Sequence, residues 1–189
     1  PHFIFNSLNS LRSLIEDNPA RARLAVTQLA NLLRYSLQSG QTETVLLEEE
    51  LRLANDYLAL EQVRYEERLS LRINVASEAL ALPVPPMLLQ TLVENAVKYG
   101  IAQRHEGGEI SIVAHCDGEG LYLRVANPSA PANSSKISFE STGVGLRNAA
   151  TRLRLLFGER ATLRLHTNDP GLVVAEVFIP LIPMPVRLP

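Results

Sequence analysis

The stretch Leu88-Leu89-Gln90-Thr91-Leu92-Val93-Glu94-Asn95-Ala96-Val97-Lys98-Tyr99-Gly100 decides how the rest of the chain is read. Leu89, Leu92, Val93, Ala96 and Val97 recur at helical spacing and form one apolar stripe. Glu94, Asn95 and Lys98 stand beside that stripe. Asn95 offers an amide oxygen of the kind Mg²⁺ takes as a ligand. Lys98 lies one turn on, as a point charge for phosphate. Glu94 can orient or deprotonate a nucleophile. Taken alone, the stretch is equally an amphipathic helix with a polar edge, since residues three and four apart are neighbours on any helix.

On its N-terminal side, Leu82-Pro83-Val84-Pro85-Pro86 is extended, and its prolines restrict the entry into the helix. Leu69, Leu71, Ile73 and Val75 alternate with polar residues as in a half-buried strand. Residues 48–66 form a long helix with Leu51, Ala54, Tyr57, Leu58 and Leu60, and residues 44–47 are a short strand. Further back, residues 1–16 and 20–38 are two helices. The first carries Ile4, Leu8, Leu11 and Ile15 inward, and the second Ala25, Leu29, Leu32, Leu33 and Leu37. Asp17-Asn18-Pro19 turns the chain between them, and Ser39-Gly40 ends the second. Such a hairpin cannot bury two apolar faces alone, so it pairs into a four-helix bundle or docks on the rest of the chain.

On the C-terminal side, residues 109–115 and 121–126 are strands around the turn Asp117-Gly118-Glu119-Gly120. Residues 127–141 are rich in Pro, Ser, Ala and Asn and read as a loop. Leu146, Ala149, Ala150, Leu153 and Leu156 define a helix over 144–157, closed by Gly158. Strands over 161–166 and 172–179 follow, then an irregular tail. A helical hairpin followed by strands in hairpins with helices between argues an α+β fold, with helices packed on one sheet face. The boundary falls near Ser39-Gly40-Gln41.

The chain has 189 residues, enough for one ordinary domain and a smaller one. With 46% hydrophobic and 20% charged residues it is globular. A formal net charge of −2 argues against bulk binding to nucleic acid or anionic membranes. Cys116 is the only cysteine, so no intrachain disulfide forms and a reducing compartment fits. No apolar run reaches the ~18 residues of a membrane span, and no signal peptide leads the chain. The sequence opens at Pro1-His2-Phe3, without Met and inside a motif. It is expected to be part of a longer protein, about whose membrane segments it says nothing.

Several of these stretches resemble the boxes of one superfamily. Leu92 to Gly100 is similar to the N box (LVENAxKHG) of the histidine-kinase and GHKL ATPase superfamily, with Tyr99 where His is usual. Pro1-His2-Phe3-Ile4-Phe5-Asn6-Ser7-Leu8-Asn9 resembles the H box of LytS-like sensor histidine kinases. Ser141-Thr142-Gly143-Val144-Gly145-Leu146-Arg147-Asn148 resembles their G box, and Arg152–Gly158 the run after it. Residues 45–51 and 84–90 also match. The resemblance runs in order from residue 1 to about 180.

What the resemblance implies is specific. Residues 1–40 would be a dimerisation and phosphotransfer hairpin, 41–182 a GHKL-type ATP-binding catalytic domain with helices on one face of a mixed sheet, and 183–189 a tail. His2 would be the autophosphorylated residue, with Glu94 assisting proton transfer. Asn95 would hold Mg²⁺. Asn95, Lys98, Tyr99, Asn127, Thr142, Gly143, Val144, Gly145 and Leu146 would bind ATP, with the loop before Thr142 as its lid. Physical chemistry agrees: glycines let backbone N–H groups approach phosphate at a helix N-terminus, and a neutral imidazole is a competent phosphoryl acceptor. The implied partners are a response regulator, in this subfamily often one with a LytTR DNA-binding domain, and a second copy of the chain, with no direct contact to nucleic acid. The implied location is the cytoplasmic portion of a bacterial inner-membrane protein. A non-kinase signalling module of the same fold remains open; a GHKL ATPase outside signalling leaves the H box unexplained. The chain departs from its relatives at Asn127, where Asp is usual before a glycine-containing turn, and at Ser141, where the G box begins with Gly.

Overall fold

The computed structural model describes residues 2–38, 40, 42–129, 144–169 and 171–181. Two antiparallel helices open it, α1 (His2–Asp17) and α2 (Pro19–Gln38). Asn18 separates them and caps α2, its Oδ1 accepting the Arg21 N–H at 3.0 Å. A two-residue strand β1 (Val45–Leu46) leads into α3 (Leu47–Tyr65). Then follow β2 (Leu69–Val75), the short helix α4 (Ser77–Leu80), β3 (Pro83–Val84) and α5 (Leu88–Tyr99). The chain continues with β4 (Gly108–Cys116), β5 (Gly120–Pro128), α6 (Val144–Phe157), β6 (Thr162–Asp169) and β7 (Leu172–Pro180).

The main sheet has the order β2-β4-β5-β7-β6. β2 pairs with β4 in parallel and every other neighbour is antiparallel, so the sheet is mixed. Period-2 alternation sends one face inward: Ile110, Ile112 and Ala114 from β4, Leu121, Leu123 and Val125 from β5, Ala175, Val177 and Ile179 from β7. These residues share one core with Leu53 and Leu58 of α3, Leu89 and Val93 of α5, and Leu146 and Leu153 of α6. His115, Tyr122 and Phe178 lie on the other face, where their rings contact one another. The β4–β5 turn is closed by Asp117, whose Oδ1 accepts from the N–H groups of Glu119 and Gly120. The expected α+β fold, with helices on one face of a mixed sheet, is the observed one.

Two details differ from the sequence reading. The expected strand over 44–47 contains only Val45–Leu46, paired with β3, and the helix after it starts at Leu47. The second concerns the hairpin, which docks on α3 and buries Leu11, Ala22, Ala25, Leu29 and Leu32. Leu33 and Leu37, expected inward, are 39% and 83% exposed, and Leu8 and Ile15 are exposed as well. A single facing helix covers a narrower stripe than the sequence pattern spans. Thr142 and Gly143, the expected lid and the 183–189 tail lie outside the described residues. No described helix is long and apolar enough to cross a membrane.

The division of the stripe is testable by urea unfolding of dilute protein. Leu29→Ala is expected to cost about 2–5 kcal/mol, the range for a buried Leu, while Leu37→Ala stays within about 0.5 kcal/mol of the parent. Equal losses would show that another surface covers Leu37.

Candidate active site

The polar residues of the opening stretch are all presented by α5, whose apolar residues Leu88, Leu89, Leu92, Val93, Ala96 and Val97 are buried. Its N-terminus is unusual. The residue before it, Met87, is left-handed at φ 66° and brings no side-chain cap. The free N–H groups are met instead by Glu50 of α3, which is fully buried. Glu50 Oε1 accepts from Met87 N–H at 2.7 Å, and Oε2 from Leu89 N–H at 2.8 Å and Gln90 N–H at 3.4 Å. Oε1 also accepts the Tyr35 hydroxyl of α2 at 2.7 Å. A carboxylate at a helix N-terminus is favourable through both the orphan N–H groups and the helix dipole.

Along α5, Thr91 Oγ1 donates to Met87 O at 2.6 Å, and Asn95 Nδ2 donates to Thr91 O at 2.7 Å. The second bond fixes the amide and leaves Asn95 Oδ1 as the acceptor for an outside partner. Lys98 is exposed, with Nζ 4.7 Å from the centroid of the Tyr99 ring. Gln90 Nε2 donates to Glu94 Oε1 at 2.8 Å, and Gln90 Oε1 is buried with no hydrogen bond among the described residues. Glu94 is exposed over its side chain as a whole. Burial of its carboxyl raises its proton affinity above the ordinary carboxylate value, against the opposing bond from Gln90. Burial likewise raises Glu61, with Arg64 opposing and Glu94 adding to the rise. Buried Tyr57, whose proton affinity burial raises, feels both carboxylates and contacts the Phe3 ring at 4.9 Å between centroids. Glu94 therefore lies within electrostatic reach of Tyr57 and Glu61 of α3.

The start of α6 meets the start of α5. A Cβ at Gly145 would lie 3.3 Å from Thr91 Cγ2. Between the helices is a cleft of about 180 Å³ lined by Pro86, Met87, Thr91, Gly145, Asn148 and Arg152. Val144 is exposed there and Leu146 buried. At the far end of α5, a Cβ on Gly100 would lie 2.5 Å from Asn127 Nδ2, so only glycine lets Asn127 reach this point. Asn127 is buried on β5 and its Nδ2 donates to Pro128 O at 2.9 Å. From Thr91 to Gly100 is about 14 Å at ~1.5 Å per residue. The structure thus strings Gly145, Asn95, Lys98 and Asn127 along one helix. Glu94 lies beside this row, one turn before Lys98. His2 is the first residue of α1; its side chain lies outside the described residues.

A nucleotide with Mg²⁺ fits this donor set. The Oδ1 of Asn95 suits the cation, Lys98 and the start of α6 suit phosphate, and Asn127 offers a buried amide. Among the described residues no group of His, Cys, Asp and Glu could hold a metal unaided. A cation here would share its ligands with phosphate and water, as Mg²⁺ commonly does. Glu50, Tyr35 and Arg152 were not singled out from sequence. For Glu50 a signal was present: Leu47, Glu50, Ala54, Tyr57, Glu61 and Tyr65 follow helical spacing, placing both acids within the buried stripe.

The catalytic domain of histidine kinase ThkA superposes with a TM-score of 0.53 at 20% identity, over 73% of this chain and 97% of that one. The histidine kinase domain of the Erythrobacter litoralis blue-light activated kinase EL346 superposes with 0.53 at 17% identity, over 90% and 80%. The fold is that of histidine-kinase catalytic domains. A family model described as Histidine kinase matches residues 1–69. The Staphylococcus haemolyticus sensor protein LytS is 33% identical over 184 residues, 93% of this chain and 32% of that protein. The Staphylococcus aureus sensor histidine kinase/phosphatase LytS is 33% identical over 183 residues, 90% and 31%. Over about nine-tenths of its length the chain is homologous to LytS sensor proteins, and it spans about a third of the length of the curated relatives it matches.

Burial is the largest influence on Glu50 and raises its proton affinity above the ordinary 4.5, while its four hydrogen bonds oppose. A raised folded-state value contributes stability that is complete below the unfolded value and lost as pH rises through the folded one. Stability is therefore expected to fall as pH rises from about 4.5. Glu50→Gln removes that share of the slope, and Glu61 and Glu94 leave a remainder of the same sign. Urea unfolding over a pH series measures this. Identical slopes would show that the hydrogen bonds just offset burial, and a steeper fall in Glu50→Gln that they outweigh it.

Proposed function

We propose that the chain is the kinase core of a two-component sensor, which phosphorylates itself on His2 from ATP and passes the phosphoryl group to an aspartate of a response regulator. The observation that carries this is the alignment along α5 of Gly145, Asn95, Lys98 and Asn127, in a chain whose first helix begins with a histidine. Residues 1–40 serve as the phosphoacceptor and dimerisation hairpin, 41–182 as the ATP-binding domain, and 183–189 as a tail. The exposed Phe5, Leu8, Ile15, Leu33 and Leu37 supply the apolar surface for a second copy. The regulator is of the LytTR DNA-binding type, so the chain itself touches no nucleic acid. The full-length protein is membrane-bound, with this portion on the cytoplasmic side.

In this reading an imidazole nitrogen of His2 forms the new N–P bond as the bond from the γ-phosphorus to the ADP oxygen breaks. Catalysis in such transfers is mostly positioning and electrostatics. Asn95 Oδ1 holds Mg²⁺, which when bound neutralises charge on the phosphate oxygens. Lys98 and the backbone at Thr142, Gly143, Val144 and Gly145 hold phosphate, with Leu146 anchoring that turn in the core. Tyr99 supports Lys98 from below. The raised proton affinity of Glu94 suits it to take the proton His2 releases. Asn127 accepts from the adenine amino group.

Incubation with γ-labelled ATP tests the proposal. Acid-labile label is expected on the parent and absent from His2→Gln, which keeps nucleotide affinity because position 2 does not line the cleft. Asn95→Ala is expected to lose both label and Mg²⁺-dependent binding, at about 1 kcal/mol of stability for its bond to Thr91. Label surviving in His2→Gln would overturn the assignment.

A second reading, a signalling module with little ATP turnover, is favoured by Asn127 itself, whose amide can accept only without charge, its Nδ2 donating to Pro128 O. Asn127→Asp gains a charge-assisted bond to adenine, roughly twice as strong as a neutral one, and loses the Pro128 bond. The loss weakens all nucleotides alike, so the ratio of affinities isolates the gain. Asn127→Asp is expected to sharpen the preference for ATP over GTP several-fold, measured by calorimetry. An unchanged ratio would remove Asn127 from the adenine site, and no binding to either form would put the second reading first.

A further inference from the structure

A continuous hydrogen-bonded path runs from the hairpin to the amide of Asn95. The Tyr35 hydroxyl of α2 donates to Glu50 Oε1, and the same oxygen accepts from Met87 N–H. Met87 O accepts from Thr91 Oγ1, and Thr91 O accepts from Asn95 Nδ2. A branch leaves the same turn: Pro86 O accepts from Arg152 Nη1 of α6 at 2.9 Å. We infer that Tyr35 and Glu50 are positioning residues through which the seating of the hairpin sets the placement of α5 and of the start of α6, an inference that rests on the nucleotide site proposed above.

Three observations separate this arrangement from ordinary packing. Helices are usually capped by a residue at their own start, whereas α5 is capped by a residue 37 positions away in sequence. One capping oxygen is shared with the hairpin, so withdrawing α2 changes the cap without any movement of α3. The turn so held contains Met87 at φ 66°, a conformation costly for a residue with a side chain, which persists where its surroundings over-determine it. Pro86 and Met87 form a turn tied at once to α3, α5 and α6, and through Glu50 to α2. Because coupling between sites is reciprocal, a hairpin that influences nucleotide affinity must itself be influenced by nucleotide.

Amide hydrogen exchange, with and without Mg²⁺ and β,γ-imido-ATP, tests this on the parent chain, Tyr35→Phe and Ala25→Gly. Ala25→Gly loosens α2 without touching the path. In the parent, nucleotide is expected to slow exchange in α5 and α6 and, several-fold, in α2 around Tyr35. In Tyr35→Phe the slowing in α2 disappears while that in α5 and α6 stays, and affinity falls several-fold. In Ala25→Gly the slowing in α2 stays. Slowing in α5 and α6 of the parent with none in α2, or unchanged slowing of α2 in Tyr35→Phe, overturns the coupling and leaves ATP binding intact. If nucleotide slows nothing, the ATP-binding reading falls, and the nucleotide-free comparison decides the path by itself. Faster exchange at the Leu89 and Gln90 amides in Tyr35→Phe but not in Ala25→Gly upholds it, and unchanged exchange there overturns it.

Discussion

The carboxylate of Glu50 is the constraint on which the rest of this structure depends. A buried ionised carboxyl costs several kcal/mol in lost hydration unless hydrogen bonds replace the water. Here three backbone N–H groups and one phenol do so. None of these donors belongs to α3, so satisfying one acid fixes three helices relative to one another. An apolar residue at position 50 would leave the first N–H groups of α5 facing the core with no acceptor, a penalty of about 1–3 kcal/mol for each orphaned group.

The elements around that node have different kinds of support. The sheet face is held by apolar area, with Ile110, Ile112, Leu121, Leu123 and Val177 packed beneath α5 and α6. The hairpin has a smaller apolar footing and leans on polar contacts, Tyr35 to Glu50 and Asn31 to Asp56. Contacts of that kind are directional, so they hold a position rather than merely a proximity.

Much of the fold could be read from periodicity. The alternation of Ile110, Ile112 and Ala114 and the 3.6-residue spacing of Leu89, Leu92, Val93 and Ala96 are strong local signals. The hairpin overran its true buried stripe because a sequence pattern shows which residues are apolar, not how wide a neighbour covers them; Leu37 is the clearest case. Elements such as α4 and β3 are too short to carry a period. Glu50 was hidden by its company, since Glu48-Glu49-Glu50 reads as a solvated first turn. In the candidate site, Glu94, Asn95 and Lys98 were legible together because one helix carries them. The approach of Asn127 and Gly145 to that helix is non-local, and only family resemblance pointed to it.

The parallel pairing of β2 with β4 has a consequence for how the chain folds. Parallel neighbours need a crossover between them, and here α5 lies within the connection over residues 76–107. The helix of the candidate site is thus the span of a long loop whose closure costs chain entropy before any contact repays it. Helices α1, α2 and α3 can associate from local contacts as soon as they are made. Helix α5 finds its floor only when β4, and then β5 and β7, join the sheet behind it. Competence at this site is therefore acquired late, with the C-terminal strands, and a ribosome still short of β7 carries a hairpin seated on α3 beside an unfinished site.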